Sequence, residues 1–165
     1  MSVAAPGIVC RDGRDTDIEA ILALLPRLAD FDVPTHRRPE DLWQGDAGLL
    51  RAWARGERED VVVCVASESG SVVGVAAASE REELLTHAPS GHLEALAIDP
   101  RVEGRGLGRR LLTEIESRLR ARGARGMSLH VFGANARARA LYARAGYDEE
   151  IVRCYKPFDE GVLAP

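Results

Sequence analysis

The chain has 165 residues and a formal charge of -4, from 22 basic and 26 acidic side chains, a balance that speaks against a general nucleic-acid coat or a binder of anionic membranes. Its 45% apolar and 29% charged residues are those of a globular protein, and its length suits one domain whose core needs neither disulfides nor a structural metal. Aromatic residues, at 5%, are too sparse for a platform that stacks single-stranded bases.

A single domain over 1–165 is expected, with a core at about 8–157 and a loose tail at 159–165. Near the start, Gly7–Arg11 reads as a strand. A helix follows, with Thr16 as its cap and Ile18, Ile21, Leu22, Leu25 and Leu28 at helical spacing, weakened in its last turn by Pro26. A loop rich in turn formers and charge spans Ala29–Pro39, and a second helix runs from Pro39 or Glu40 to Gly56. Two strands, Asp60–Ser67 and Ser71–Ser79, are close enough for a hairpin. Glu80–Ser90 is acidic and reads as a short helix or a loop. The strand His92–Ile98 stops at Asp99-Pro100. A glycine-rich turn then opens a helix from Gly108 to Arg122. A strand Met127–Phe132, a helix Asn135–Arg144 and a last strand or strands within Tyr147–Pro157 complete the chain. Cys10, Cys64 and Cys154 each fall in an expected strand, with no CxxC and no zinc spacing, so they read as buried thiols of a reducing compartment and no metal is expected. The first ten residues lack the basic start and apolar run of a signal peptide, and nothing approaches a membrane span, so the cytoplasm is the expected location.

The turn after the fourth strand carries the strongest chemical signal. Glycines there let a ligand approach the backbone, and the first amides of the following helix have no partner within it, which together make a phosphate site. Arg105, Arg109 and Arg110 add positive charge at the same place. The turn is not a Walker loop, since no GKS or GKT is present, and it lies too late in the chain for a dinucleotide fingerprint.

Two ordered motifs make the chain resemble the GCN5-related N-acetyltransferase (GNAT) superfamily. The first is Ile98-Asp99-Pro100 followed by Glu103-Gly104-Arg105-Gly106-Leu107-Gly108. The second is Asn135, Ala138, Leu141-Tyr142 and Gly146-Tyr147. The resemblance covers roughly residues 8–157 and departs at Glu103, where the family has Arg or Gln. Glu103 should repel phosphates unless it turns outward or pairs with Arg101 or Arg105. The resemblance implies a mixed α/β fold, a largely antiparallel central sheet flanked by helices with splayed fourth and fifth strands. It also implies an enzyme that moves an acetyl group from acetyl-CoA directly to a primary amine of a small molecule or peptide.

Carried onto this sequence, the backbone of Leu96, Ala97 and Ile98 would pair with the pantetheine arm, with the amide of Ala97 or Ile98 facing the oxyanion. Amides from Glu103 through Arg109 (Gly104, Arg105, Gly106, Leu107 and Gly108 among them) would meet the pyrophosphate, and Asn135 would lie near the cofactor arm. Tyr142 is the implied general acid. Glu94 is the candidate base, because a carboxylate in a strand of Leu, Ala and Ile needs a reason, with His92 and His130 as alternatives. Acidic residues Asp30, Asp32, Glu80, Glu82 and Glu83 favour a cationic acceptor, whereas His36, Arg37 and Arg38 favour an anionic one. The rival is a non-catalytic acyl-CoA-binding or protein-interaction module, motivated by Glu103. No nucleic-acid or membrane partner is expected, and many members of the family dimerise, which an exposed last strand would permit.

Overall fold

The computed structural model describes residues 7–158. The expected tail at 159–165 lies outside the described residues. Five strands form one sheet in sequence order: β1 (Ile8–Asp12), β2 (Val61–Glu68), β3 (Ser71–Glu82), β4 (Pro89–Ile98) and β5 (Met127–Leu129). The first four pair antiparallel, and β5 joins β4 in parallel. Helices cover both faces, so the inner strand β2 reads as a continuous apolar run in place of an alternating one.

One face is closed by α1 (Ile18–Leu24) and α2 (Gln44–Ala54), which bury Ile21, Leu24 and Leu50 against Val63, Val65 and Ala77. The other face is closed by α3 (Leu107–Ala121), whose stripe Leu107, Leu111, Leu112, Ile115 and Leu119 packs on Cys64, Ala76 and Leu93. The apolar spacing that predicts α3 is therefore the spacing that packs it. A fourth helix, α4 (Ala136–Arg144), lies beside α3 and adds Leu141 and Tyr142 to that cluster.

Several boundaries differ from those read in the sequence, each for a physical reason. Pro26 does not merely weaken the first helix: Leu25–Ala29 continues it as a 3-10 turn. Thr16 is not its cap; the Asp17 carboxylate accepts the Arg14 amide at 2.8 Å and begins a short 3-10 turn at Asp15. The second helix is likewise divided into a 3-10 turn Pro39–Leu42 and α2. Glu80–Ser90 is neither helix nor long loop, because β3 runs on to Glu82 and β4 begins at Pro89. The strand expected to reach Phe132 stops at Leu129.

No strand forms within Tyr147–Pro157 among the described residues. A three-residue β5 gives that segment little edge to pair with. Tyr155 instead stacks on His36, with ring centroids 5.5 Å apart, and lies 4.6 Å from the Arg37 guanidinium. Cys154 in this segment is exposed, unlike buried Cys64.

Candidate active site

β4 and β5 pair only at Gly91–Met127, His92–Ser128 and Leu93–Leu129. β4 then continues to Ile98, while the chain beyond Leu129 turns away toward α4. The two strands thus part, and a cavity of about 510 Å³ opens between them. Asp99 donates its amide to Val73 at 2.8 Å and stands opposite it across β3. Alternation along an antiparallel pair then directs Ala95 and Ala97 toward β3, and the backbone groups of Leu96 and Ile98 toward the gap. The Ile98 carbonyl accordingly accepts from Arg27 Nε at 3.3 Å rather than from β3. Of the two oxyanion donors expected, Ile98 faces the cavity and Ala97 is spent on the sheet.

The glycine turn closes one end. Gly104 and Gly106 both have a φ of +74°, a left-handed conformation that disfavours any side chain, and Gly106 caps α3. Gly108 serves closeness instead: a Cβ there would lie 3.2 Å from Leu141, so its absence lets α4 approach α3. Arg109 lines the cavity without a carboxylate partner among the described residues. Arg105 turns away to Glu68 at 3.2 Å, and Arg110 donates to the Ile8 carbonyl at 3.1 Å. Of the three arginines read at this turn, only Arg109 keeps its charge in the cavity.

Glu103 pairs with neither Arg101 nor Arg105. Arg101 holds Asp99, and Glu103 is held by Arg27 from the 3-10 turn and by Arg137 of α4, the latter at 2.6 Å. The Arg137 hydrogen bond, with the charges of Arg137 and Arg27, keeps the Glu103 carboxyl below its ordinary range. Its charge is therefore compensated, and the repulsion expected of it is largely removed. Asn135 lines the cavity as the cap of α4, its side-chain oxygen accepting the Ala138 amide at 3.1 Å.

The opposite end is built by side chains. Glu94 occupies a β-bulge: Ala77 stands opposite Ala95 and Ala78 opposite Leu93, so Glu94 has no partner across β3. The bulge turns a carboxylate inward from an apolar strand. There it accepts from Ser79 Oγ and Arg81 Nη2, each 2.5 Å away. Asp46, in the first turn of α2, lines the same end, backed by Leu28, Phe31 and Leu42. Burial, and secondarily the charge of Glu94, push the Asp46 carboxyl up to about 7. Phe31 packs on Phe132 with centroids 5.4 Å apart, joining the segment after the 3-10 turn Leu25–Ala29 to the loop after β5.

A sequence profile described as "Acetyltransferase (GNAT) family" matches residues 23–147, most of the chain. The chain belongs to that family. It is 28% identical over 140 residues to the uncharacterized N-acetyltransferase YhfO of Bacillus subtilis, covering 85% of this chain and 89% of that protein. It is 48% identical over 60 residues to the mycothiol acetyltransferase of Beutenbergia cavernae, a match over 36% of this chain that spans only 20% of that protein's length. Among solved structures, the aminoglycoside N-acetyltransferase AAC(6')-Iy in complex with CoA superposes with a TM-score of 0.70 at 20% identity, over 95% of this chain and 99% of that one.

In this GNAT-family chain most residues read as site residues line one cavity; the exceptions are Arg105 and Arg110, drawn off to Glu68 and the Ile8 carbonyl, and His92. Tyr142 lies on the α4 wall, and burial pushes its phenol up to about 12. It is therefore protonated at neutral pH, yet it is a weaker acid than an ordinary thiol, so it can donate a hydrogen bond to a departing sulfur more readily than a whole proton. His92 does not line the cavity. It is buried beside Ser128, at 2.8 Å, and burial holds it down at about 4, too weak a base for this task. His130 is exposed at the cavity's edge. The acidic rim largely dissolves: Asp30 pairs with Arg27, Glu80 with Arg122, and Glu83 accepts from Thr86 at the hairpin end. The sequence reading missed Asp46, Arg27 and Arg137. Asp46 falls inside the helix expected from Pro39 or Glu40 to Gly56 with no local signal to mark it, and the two arginines lie 76 and 34 positions from the glutamate they hold.

Proposed function

We propose that the protein is an acetyl-CoA-dependent N-acetyltransferase that moves an acetyl group directly onto a primary amine. The observation that carries this reading is the unpaired edge of β4, which ends at the free amides of α3. An extended amide-bearing arm can pair with Leu96 and Ile98 while its pyrophosphate reaches Gly104–Arg109. Direct transfer is supported by the lining: among the described residues no Ser, Thr or Cys faces the cavity to carry the acetyl group. Ile98 would donate its amide to the thioester oxygen, Tyr142 would donate to the sulfur, and the carboxylates at the other end would receive the amine.

Free-thiol release from acetyl-CoA tests this with four acceptors: cadaverine, tobramycin, an N-terminal alanyl peptide and glucosamine 6-phosphate. Turnover of at least one amine supports the transferase. Tight acetyl-CoA binding without turnover of any supports the non-catalytic module. The cytoplasm and a homodimer remain part of the proposal. No helix among the described residues is long and apolar enough to cross a membrane, and Cys10 and Cys64 are free thiols within the fold. β5 pairs on one side only, and Ile151, Val152 and Phe158 are exposed. Light scattering at micromolar concentration distinguishes one copy from two.

A further inference from the structure

We infer that Asp46, rather than Glu94, is the group that accepts the ammonium proton, and that the acceptor is a cationic amine anchored between Asp46 and Glu94. The inference rests on the transferase reading and names the base and substrate class of that same site.

Two carboxylates from opposite sides of the sheet-to-helix seam meet at this end of the cavity, and they differ in what holds them. Glu94 is engaged by Ser79 and Arg81, its side chain only 11% exposed. Both bonds fall on Oε1, so Glu94 is already tied to the Arg81 cation, while its Oε2 is left to hold an ammonium. Asp46 has no hydrogen bond or ion pair holding it among the described residues, and it is half-buried in the cavity wall that Leu28 and Leu42 also line. Helix amides at the start of α2 favour its charge, but burial and the neighbouring Glu94 outweigh them and leave it titrating near neutrality. A base tuned to the operating pH is the most effective proton acceptor.

Most other charges around this site are paired, and the two cavity arginines without a carboxylate partner among the described residues, Arg109 and Arg144, lie at the glycine turn and on α4. On the 3-10 turn Leu25–Ala29, Arg27 pairs with Asp30 and Glu103. On Pro39–Leu42, Arg38 pairs with Asp41. Arg58, after α2, pairs with Asp60, and Arg51 of α2 itself is exposed. His130 stands beyond the end of β5. No unpaired cation among the described residues compensates Asp46, so an incoming ammonium supplies the missing charge.

The proton balance closes without another reactant. One ammonium proton passes to an Asp46 oxygen, and the freed nitrogen lone pair bonds to the thioester carbon. As the C–S bond breaks, a second nitrogen proton reaches the sulfur by way of the Tyr142 hydroxyl, giving the amide and the free thiol. Asp46 then returns its proton to solvent.

The site also has a thermodynamic signature. Asp46 is protonated in the fold at pH values where the unfolded chain has already lost that proton. Its contribution to stability is therefore present below about pH 4 and is lost as pH rises through about 7. Asp46→Asn removes that loss, so the variant should gain most melting temperature over wild type at pH 8, less at pH 5 and little below pH 4.

The test measures kcat/KM against pH for cadaverine and for glucosamine 6-phosphate, with wild type, Asp46→Asn, Asp46→Glu and Glu94→Gln. Thermal melting and a carbon-13 carboxyl titration of each protein accompany it. Wild type should prefer cadaverine and show an acid limb near pH 7. Asp46→Asn should fall about 100-fold at pH 7 and recover toward pH 10, where free amine dominates. Asp46→Glu should restore part of the rate, and Glu94→Gln should keep the limb but move it to lower pH. An Asp46→Asn limb unchanged near pH 7, or an Asp46 carboxyl titrating near 4, overturns the assignment while leaving the transferase intact. Preference for the sugar phosphate overturns the substrate class. Wild type that transfers to neither amine, nor to the other two of the panel, removes the transferase reading and this inference with it.

Discussion

The two ends of the cavity are made differently. At the glycine turn the groups that meet a ligand are backbone amides, held by left-handed Gly104 and Gly106 and by the start of α3. At the carboxylate end they are side chains from three separated segments: Glu94 on a bulge of β4, Asp46 on α2, and Phe31 after the 3-10 turn Leu25–Ala29. A backbone site is written in consecutive residues and fixes a common ligand, while a side-chain site is assembled by the fold and fixes what is particular to one protein. The difference teaches where cofactor binding and acceptor choice reside in this molecule.

The sharpest way to break that comparison is at Gly106. Replacing it by Val forces a β-branched residue to a φ of +74° and sets a side chain where phosphate must approach. Acetyl-CoA affinity should fall about 100-fold by calorimetry, from backbone strain of about 1–2 kcal/mol and lost amide contacts together. Unchanged affinity would show that the backbone does not make this end.

Tyr142→Phe probes the seam between the ends. It removes only the hydroxyl, and ring packing beside Tyr147, at a centroid distance of 6.0 Å, persists. Single-turnover transfer at saturating acetyl-CoA should slow by about 10-fold, below the usual span of general acid catalysis, because a phenol raised to about 12 gives up its proton reluctantly. Affinity should hold. A wild-type single-turnover rate would leave Tyr142 a packing residue.

The smallest effect is expected at Glu103→Gln. Arg27 and Arg137 lose their shared carboxylate and become available to phosphate, so acetyl-CoA should bind about 2- to 5-fold tighter, with a steeper salt dependence. Weaker binding would show instead that the Arg27–Glu103–Arg137 bridge is needed to hold the turn between the 3-10 helix and α4.

Legibility in the sequence followed the same division. The strand, glycine turn and helix from Leu93 to Leu119 could be read because periodicity, Asp99-Pro100 and the glycines are local signals. The α4 motif could be read for the same reason, down to Asn135 as its cap. The Glu94 bulge could not, because strand parity says nothing about where one residue is inserted. Asp46 could not, since an aspartate inside a helix expected from Pro39 or Glu40 to Gly56 carries no local mark, and the cavity it lines is completed by Leu28 and Phe31, more than a dozen positions away. Arg105, Arg109 and Arg110 share a turn in sequence, but Glu68 and the Ile8 carbonyl draw two of them off. The final segment carries Ile151, Val152 and Tyr155 and so reads as a strand, yet pairing requires a neighbouring edge and β5 offers three residues.

Amide chemical shifts during titration with acetyl-CoA test the central claim most directly. The account predicts saturable shifts largest at Gly104–Arg109 and at Leu96 and Ile98, with Ala95 and Ala97 less affected because their amides are bound to β3. Shifts confined to other surfaces, or none at millimolar acetyl-CoA, would contradict it.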